Sequence, residues 1–354
     1  MYRTASPNYI SLPGKEGPGQ PANYTSAMQG VSVVVTVLNE VEDLGMLVGS
    51  LLEQQLAATE VIVVDGGSSD GTWEWLVEAA KSHASLRPIR DESCNLRQCA
   101  GPISRGRNVA IAAAGTEIIA CADAGCLYAP DWLERLTAPL RQGTAEYALG
   151  GSCLAAEGAT VWDLASAPFF GVKLDAAEPT KSCTARSMAF RKELWQRLGG
   201  FSETVFFGED TLFDREARSL TRPVFVDRAK AFYRPQYGFR SAVRQLADYA
   251  VSDGIAGVRP VRLFRNAARC MAEIFAAVVL VWAVIPLLVV FALEMYFAFR
   301  LDGRSLLRAA GRSWRLPQML AARMMFSLLV PWIVAANQVL GAWRKTPRPN
   351  RQNR

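Results

Sequence analysis

The stretch that decides the fold is Gly115-Thr-Glu-Ile-Ile-Ala-Cys-Ala-Asp-Ala-Gly-Cys-Leu-Tyr-Ala-Pro-Asp-Trp-Leu133. Its apolar run from Ile118 to Ala122 ends at Asp123, and a short loop leads to Pro130-Asp131-Trp132, a typical helix start. The pattern predicts a buried strand, an acidic loop and a helix. Ligands of open α/β sheets bind beyond the carboxyl ends of strands, so Asp123 is placed to contact a metal, a ribose or a diphosphate. The alternative is that Asp123 only caps a turn.

Two further strand and helix units precede this stretch. The segments Val31 to Leu38 and Glu60 to Val64 are rich in β-branched residues, as in central strands that are covered on both faces. A helix is expected after each strand, from Val41 to Gln55 and from Trp73 to Lys81. A third strand is expected near Leu86 to Arg90. Because strands and helices alternate at this spacing, the sequence predicts right-handed βαβ units and an α/β fold.

Polar side chains follow the predicted strands where a glycine-rich phosphate loop would otherwise stand. No G-x-G-x-x-G follows the first strand, which argues against the common dinucleotide-binding fold. The strand ends instead offer hydroxyl, amide and carboxylate groups, which suit a base edge, a ribose and a metal-bound diphosphate. These residues are Thr36, Asn39, Glu40, Asp65 and Asp123.

Composition argues against several other kinds of site. Half of the 354 residues are apolar, so the chain can bury a large core. The seven cysteines form no C-x-x-C pair, and the only histidine, His83, lies in a polar stretch. A Cys/His zinc site and a Ser-His-Asp triad are therefore nearly excluded, and the cysteines suit scattered thiols in a reducing compartment.

A second acidic position lies downstream, at the start of another expected helix. The segment Gly199 to Asp210 is expected to form a loop, and its Glu209-Asp210 pair opens a helix from Thr211 to Ser219. Carboxylates at a helix N-terminus are ordinarily explained by the macrodipole. An Asp held there can also remove a proton from an incoming hydroxyl. Further along, the segment Phe232 to Arg240 supplies cationic and aromatic groups that could close over phosphates.

In their order, these motifs resemble the GT-A nucleotide-sugar glycosyltransferases of the large inverting family 2. The resemblance covers about residues 31 to 250, and each motif is weak alone whereas the ordered set is specific. The motifs are Val-Val-Val-Thr-Val-Leu-Asn-Glu40, Val-Val-Asp-Gly-Gly-Ser-Ser-Asp-Gly-Thr72, Gly-Arg-Asn108, Asp123-Ala-Gly125 and Gly-Glu-Asp210. The resemblance implies a Rossmann-like catalytic domain with a mostly parallel sheet.

The resemblance also implies a role for individual residues. Thr36, Glu40 and Asp65 would hold the base and ribose, with Arg107 near the base. The full set of implied or candidate donor-binding residues is Thr36, Asn39, Glu40, Asp65, Arg107, Asp123 and Arg240. The implied general base is Asp210, with Glu209 beside it as the competing catalytic candidate.

A divalent cation, Mg²⁺ or Mn²⁺, is the implied cofactor. Asp123 stands where the family's D-x-D motif begins and is the implied metal ligand. The last carboxylate of that motif, the usual direct ligand, is replaced here by Gly125. Metal binding would then rest on Asp123, the diphosphate and water.

The basic excess of the chain belongs to its C-terminal part, where 15 Lys and Arg face three Asp and Glu from Ile255 onward. Two apolar segments, 274–293 and 324–343, are long enough to cross a bilayer as helices. Two spans would place the arginines between residues 300 and 315 outside, against the positive-inside tendency. The alternative is an interfacial amphipathic helix over those arginines, with the first segment re-entrant at Pro286.

The sequence thus predicts a disordered tail (1–30), a GT-A domain (31–250), a basic linker or interfacial helix (251–273), a membrane region (274–343) and a basic tail (344–354). The predicted function is inverting transfer of a sugar from a nucleotide-diphosphate donor to a hydroxyl of a lipid-linked, envelope or exported glycan. The catalytic domain would face the cytoplasm at the inner membrane, and no nucleic-acid partner is expected. The rivals are a non-catalytic nucleotide-sugar-binding subunit, which Gly125 favours, and a small polysaccharide synthase, which the shortage of spans disfavours.

Overall fold

The structure is a computed structural model that describes residues 30–155, 159–170, 172–174, 184–234, 238–257, 260–280, 288–294, 296, 300 and 316–344. The predicted tails lie outside these ranges except for residues 30 and 344. The predicted re-entrant point at Pro286 and the arginines from Arg304 to Arg315 also lie outside the described residues.

An eight-stranded sheet forms the centre of the described part of the chain. Four neighbouring strands are parallel: β3 (Leu86–Arg90), β2 (Glu60–Asp65), β1 (Val31–Val37) and β4 (Ile118–Cys121). The sheet continues through β7 (Met188–Arg191), β6 (Tyr147–Leu154), β8 (Val224–Tyr233) and β5 (Cys126–Tyr128). In this second half only β6 and β8 pair in parallel, and the β4–β7, β7–β6 and β8–β5 pairings are antiparallel. The sheet is therefore mixed, with its parallel half where the sequence predicted it.

Helices cover both faces of the sheet. They are α1 (Val41–Leu52), α2 (Thr72–Ser82), α3 (Pro102–Ala113), α4 (Trp132–Arg141), α5 (Val161–Ser166), α6 (Lys192–Leu198) and α7 (Glu209–Leu220). On one face, Val33 and Val35 pack with α1, α2 and α4, and on the other face Val34 and Ile62 pack with α3, α6 and α7. Burial on both faces explains why β1 and β2 are apolar without alternation.

Three long helices complete the described chain: α8 (Phe239–Ala256), α9 (Pro260–Leu280) and α10 (Leu316–Arg344). Helix α10 packs along α8 and α5 and buries Phe326, Val330 and Val334. Its stretch Ala321–Trp343 is long and apolar enough to cross a membrane, although 39% of its apolar window is buried inside the protein. Of the other predicted segment, residues 274–280 belong to α9, residues 288–293 are helical, and residues 281–287 lie outside the described residues.

Helices α8 and α10 touch backbone to backbone through two glycines. A Cβ at Gly254 would lie 2.1 Å from the carbonyl oxygen of Gln338, and a Cβ at Gly341 would lie 2.1 Å from that of Val251. Since side-chain atoms do not approach a carbonyl oxygen so closely, any larger residue would push the helices apart. A domain boundary at residue 250 would cut α8 in its interior, and the predicted layout of domains stays a prediction.

We expect Gly254→Ala to destabilise the full chain by about 1–3 kcal/mol, because the added methyl group overpacks the contact between α8 and α10. Urea unfolding of the purified protein measures the change. Gly49→Ala in α1 is the matched control, since no atom lies within 4 Å of the Cβ that it adds. That substitution should stabilise the fold by about 0.4–1 kcal/mol. Equal stabilities of Gly254→Ala and wild type would mean that α8 and α10 are not held in contact in solution.

Candidate active site

A cleft of about 1020 Å³ opens at the carboxyl ends of β1 and β4. This is the edge of the sheet where an open α/β fold binds its ligands. Six of the predicted site residues line the cleft, namely Thr36, Glu40, Arg107, Asp123, Glu209 and Asp210. The structure therefore brings the candidate donor-binding and catalytic positions together in one space.

Three predicted donor-binding residues are not among those that line the cleft. Asp65 is fully buried, and its carboxylate accepts hydrogen bonds from the Ser68 backbone N–H at 3.1 Å and from the Ser68 hydroxyl. Asn39 is exposed, with φ of 56°, and its side-chain oxygen accepts the N–H of Ser69 at 2.9 Å. Both residues thus stabilise the loops that follow β1 and β2. Arg240 is exposed on α8, and its predicted role in donor binding stays a prediction.

Glu40 lies where the loop after β1 meets the loop after β2. Its backbone N–H donates to Thr72 Oγ1 at 2.9 Å, and the N–H of Val41 donates to Asp70 Oδ2 at 3.1 Å. Burial, together with the nearby charges of Asp43 and Asp70, raises the pKa of Glu40 to about 7. The carboxyl group of Glu40 is therefore protonated below neutral pH while the cleft holds no ligand.

We expect donor binding to weaken as the pH falls through about 7 if Glu40 accepts a hydrogen bond from the nucleoside, as the resemblance implies. Binding then favours the ionised carboxylate, whereas acid protonates it because its pKa is raised. Calorimetric titration of the nucleotide sugar across this pH range measures the effect. Glu40→Gln should bind weakly and without this pH dependence. An unchanged inflection in Glu40→Gln would assign the titration to another group.

Arg107 bridges the two acidic positions of the cleft. Its side chain is buried, and it donates from Nη1 to Glu209 Oε1 and from Nη2 to Asp123 Oδ1. Gly106 permits this placement, because a Cβ there would lie 2.6 Å from Thr36 Cγ2 and would keep α3 away from β1. That Arg107 lies near the nucleotide base of the donor stays a prediction. The structure shows its guanidinium between two carboxylates.

Burial and charge act in opposite directions on this cluster. Burial alone would lower the pKa of Arg107, but the carboxylates of Asp123 and Glu209 raise it above its ordinary value. Burial raises the pKa of Glu209, and the guanidinium of Arg107 opposes that rise. Because a buried guanidinium requires counter-ions, Glu209 serves as an ion-pair partner of Arg107. A carboxylate that neutralises a buried guanidinium is a poor candidate for a general base.

Asp210 is the member of the acidic pair whose side chain is open to a ligand. Helix α7 begins at Glu209, directly after Gly208 with φ of 80°. Asp210 is half-buried and lines the cleft, and its Oδ1 accepts the N–H of Thr211 at 2.6 Å. Adjacent residues at a helix start point in different directions. Here Glu209 contacts Arg107 and Asp210 faces the cleft, so the assignment of Asp210 as base remains a prediction with a suitable geometry.

The end of α8 supports the loop that carries these carboxylates. The backbone N–H of Phe207 donates to Ser252 Oγ at 3.2 Å, and a Cβ at Gly208 would lie 3.8 Å from Asp253 Oδ1. The buried carboxylate of Asp253 also accepts a hydrogen bond from Arg262 of α9 at 3.2 Å. The C-terminal helices are therefore connected to the loop that precedes Asp210.

The implied metal ligand, Asp123, lies in this cleft. The side chain of Asp123 is 27% exposed and lines the cleft. At Gly125, with φ of 70°, a Cβ would have its nearest neighbour at 3.6 Å. There is room for a side chain at this position, but glycine has no side chain to offer as a metal ligand. Within the described residues, no group of three His, Cys, Asp or Glu side chains is placed to hold a metal. The residues present fit a cation only if the diphosphate of the donor completes its coordination shell.

Sequence reasoning missed several arginines that line the cleft from outside the motifs. They are Arg186, Arg262, Arg265, Arg269 and Arg300. Arg186 is buried, and its guanidinium carbon lies 4.2 Å from the centre of the Tyr233 ring. The three arginines of α9 recur at i, i+3 and i+7, which places them on one side of a helix. That spacing was the signal from which a cationic helix face could have been predicted. From sequence alone, these residues are interpreted only as the basic flank of a membrane segment.

A family model covers the parallel half of the sheet and the cleft motifs. The Glycosyl transferase family 2 model matches residues 32–216, which is more than half of the chain and includes every motif of the resemblance. The chain belongs to glycosyl transferase family 2. The predicted GT-A fold and the prediction of a glycosyltransferase are thereby confirmed. The roles of individual residues in this glycosyltransferase stay predictions.

Several known proteins are similar to this glycosyltransferase in sequence or in structure. Glycosyltransferase AglE of Haloferax volcanii is 29% identical over 130 residues, which are 36% of this chain and 40% of AglE. The chain therefore matches less than half of that relative. Mannosyltransferase PcManGT from Pyrobaculum calidifontis, solved with GDP-Man and Mn²⁺, superposes with a TM-score of 0.51 at 19% identity and covers 92% of this chain and 90% of PcManGT. TarS residues 1–349 of S. aureus, with UDP-GlcNAc, give a TM-score of 0.47 at 18% identity over 86% of this chain and 90% of TarS.

Proposed function

We propose that this family 2 glycosyltransferase transfers a sugar, with inversion, from a nucleotide-diphosphate donor to an acceptor hydroxyl of a lipid-linked or polymeric glycan. The observation that carries the proposal is that two carboxylates from different elements, Asp123 and Asp210, line one cleft. Asp123 lies at the end of β4, where a donor diphosphate is expected, and Asp210 lies at the start of α7. An inverting displacement needs such a base for the hydroxyl and separate cationic support for the leaving diphosphate.

The proposed donor is a nucleotide sugar that is held at the ends of β1 and β4. Thr36 and Glu40 would contact its base and ribose, and the buried Arg186 adds positive charge to the same cleft. PcManGT, which shares the fold, was solved with GDP-Man. That complex supports a nucleotide-sugar donor here without indicating which sugar or base this chain prefers.

We expect activity to require Mg²⁺ or Mn²⁺. Asp123 would hold the cation, which would neutralise charge on the departing diphosphate. The metal should bind weakly before the donor does, because Gly125 leaves Asp123 as the one carboxylate of the D-x-D position. Asp123→Asn should abolish turnover, and excess EDTA should abolish wild-type activity until Mn²⁺ is restored. Full activity in excess EDTA would contradict this expectation and favour stabilisation of the diphosphate by arginine alone.

The proposed location is the cytoplasmic face of the inner membrane. Among the described residues, one helix is long and apolar enough to span a membrane, and together with the strongly basic C-terminal part it supports an association with lipid. Fractionation of cells that produce the full chain, with and without a carbonate wash, tests whether the protein is retained by the membrane. Recovery of the protein in the soluble fraction would contradict the location.

A screen of the purified full chain against a panel of nucleotide sugars tests the proposed reaction. Donor hydrolysis reveals the preferred sugar and base, and the anomeric configuration of a transferred product reports inversion or retention. A retained configuration, or the absence of hydrolysis and transfer with every donor, would contradict the proposal. A long polymer as the product would instead favour the rival function of a small polysaccharide synthase.

A further inference from the structure

Helix α9 turns its apolar side outward and its polar side toward the protein. Val261, Phe264, Met271 and Phe275 are 64–74% exposed, whereas Asn266 is 4% exposed. A helix on the surface of a water-soluble domain has the opposite pattern. Exposed apolar surface on this scale indicates a partner that excludes water.

The neighbouring helical segments expose apolar side chains in the same way. In the segment 288–294 and in α10, which packs against α9, these exposed side chains are Leu288, Val289, Phe291, Leu293, Leu328, Leu329, Trp332, Val339 and Trp343. Tryptophans are enriched where membrane proteins meet the headgroup region, and basic residues are attracted to anionic lipid. The C-terminal part carries 15 Lys and Arg against three Asp and Glu. Apolar exposure, tryptophans and positive charge together point to a bilayer surface rather than to a protein partner.

The polar side of α9 forms one wall of the cleft and is cationic. Arg262 pairs with Asp253 at 3.2 Å, and Arg269 pairs with Glu294 at 2.5 Å. Both of these guanidinium groups are held in place by carboxylates. Arg265 also lines the cleft, and within the described residues it takes part in no ion pair. Arg265 therefore offers a guanidinium to a ligand between two fixed arginines.

This cationic wall shares its cleft with the candidate base. Asp253, which binds Arg262, also lies beside Gly208, two residues before Asp210. The donor diphosphate is expected at the end of β4, near Asp123. The arginines of α9 thus remain for a second phosphate group.

We infer that α9 lies in the membrane interface and that its arginine side binds the phosphate of a lipid-linked acceptor, whose glycan hydroxyl then reaches Asp210. Guanidinium groups bind phosphate through charge-assisted, often bidentate hydrogen bonds. The apolar side of α9 would lie at the boundary between headgroups and acyl chains, so the lipid tail stays in the bilayer while its phosphate enters the cleft. The inference rests on the proposed function and names the class of its acceptor.

Flotation of the full chain with vesicles tests the arginine side without any donor. The probes are phosphatidylcholine vesicles with and without polyprenyl phosphate. Arg265→Glu should reduce the binding that polyprenyl phosphate adds by about tenfold or more, because it places a carboxylate against the phosphate. Arg228→Glu, an exposed arginine of β8 that does not line the cleft, is the matched control and should bind as wild type does.

Donor affinity is measured separately by calorimetric titration with nucleotide sugars. We expect Arg265→Glu to bind the donor as wild type does. Wild-type binding of Arg265→Glu to the polyprenyl phosphate vesicles would overturn the inference, and so would a defect confined to donor affinity, which would assign α9 to the donor diphosphate. Inorganic phosphate that binds as tightly as the polyprenyl phosphate of vesicles would also overturn it, since the lipid would then contribute nothing to recognition. Failure of the proposed function appears differently, as a wild-type chain that floats with vesicles but neither hydrolyses nor transfers a sugar.

The apolar side has its own test with phosphatidylcholine vesicles alone. Phe264→Ser and Phe275→Ser should each weaken flotation, because each removes an exposed aromatic side chain from α9. Leu220→Ser on α7 is the control, since Leu220 is 45% exposed but lies outside the C-terminal helices. If both phenylalanine variants float as wild type does, α9 does not lie in the membrane interface.

Discussion

Asp210→Asn should lower kcat by about 10²-fold or more and leave donor affinity nearly unchanged. The carboxylate of Asp210 faces the cleft and is oriented by the backbone N–H of Thr211 at 2.6 Å. An amide can keep that hydrogen bond, because its oxygen still accepts, but it cannot take the proton of the attacking hydroxyl. The loss therefore falls on the transition state rather than on the bound donor. Steady-state kinetics combined with calorimetric donor titration separate the two effects.

Asp227→Asn is the matched control for Asp210→Asn, because Asp227 is exposed on β8 and does not line the cleft. Glu209→Gln tests the competing base in another way. Since Glu209 is a buried partner of Arg107, we expect its substitution to reduce stability and to affect kcat less than Asp210→Asn does. Near wild-type kcat in Asp210→Asn, or a defect in donor affinity alone, would place the base elsewhere.

The first half of the fold could be predicted from sequence because its strands are buried on both faces. The bounds predicted for β3, Leu86 to Arg90, agree with the structure, and those of β1 differ by one residue. Continuous apolar runs between turn residues identify such strands without knowledge of their partners. The alternation of strands and helices then predicts right-handed βαβ units with parallel strands.

The second half of the sheet could not be predicted in the same way. Strand β6, Tyr147–Leu154, contains Gly150 and Gly151, where its pairing with β8 shifts register. The N-terminal part of β8 is exposed, including Val224 and Phe225, so its sequence lacks a buried periodic pattern. These strands are specified by pairing with distant segments, and local sequence does not report such pairing.

The same limit applies to the site. Motifs at the strand ends placed Thr36, Glu40 and Asp123 in the cleft, since the carboxyl ends of neighbouring strands meet there. Asp210 was indicated by a motif at the start of α7. The arginine wall of α9 lies at the cleft because α9 packs against α10 and because Arg262 pairs with Asp253 of α8. Tertiary packing of this kind leaves no local motif beyond helical spacing.

Arg107→Met should reduce the free energy of unfolding by about 3–5 kcal/mol, the cost of leaving buried charges without their partner. The side chain of Arg107 is 2% exposed and is paired with both Asp123 and Glu209, which lie far from each other in sequence. Without the guanidinium, the buried carboxylate of Glu209 and the partly exposed carboxylate of Asp123 repel each other. Urea unfolding of the full chain measures the loss.

Arg107→Met combined with Glu209→Gln should recover part of that stability, because the fully buried carboxylate no longer needs a counter-ion. Mn²⁺ gives a second readout that a packing defect alone would not change. If Arg107 occupies the place of a cation beside Asp123, added Mn²⁺ should stabilise Arg107→Met more than it stabilises wild type, since a ligand that prefers the folded state shifts unfolding by mass action. Equal responses of both proteins to Mn²⁺ would mean that the guanidinium and the metal do not share Asp123.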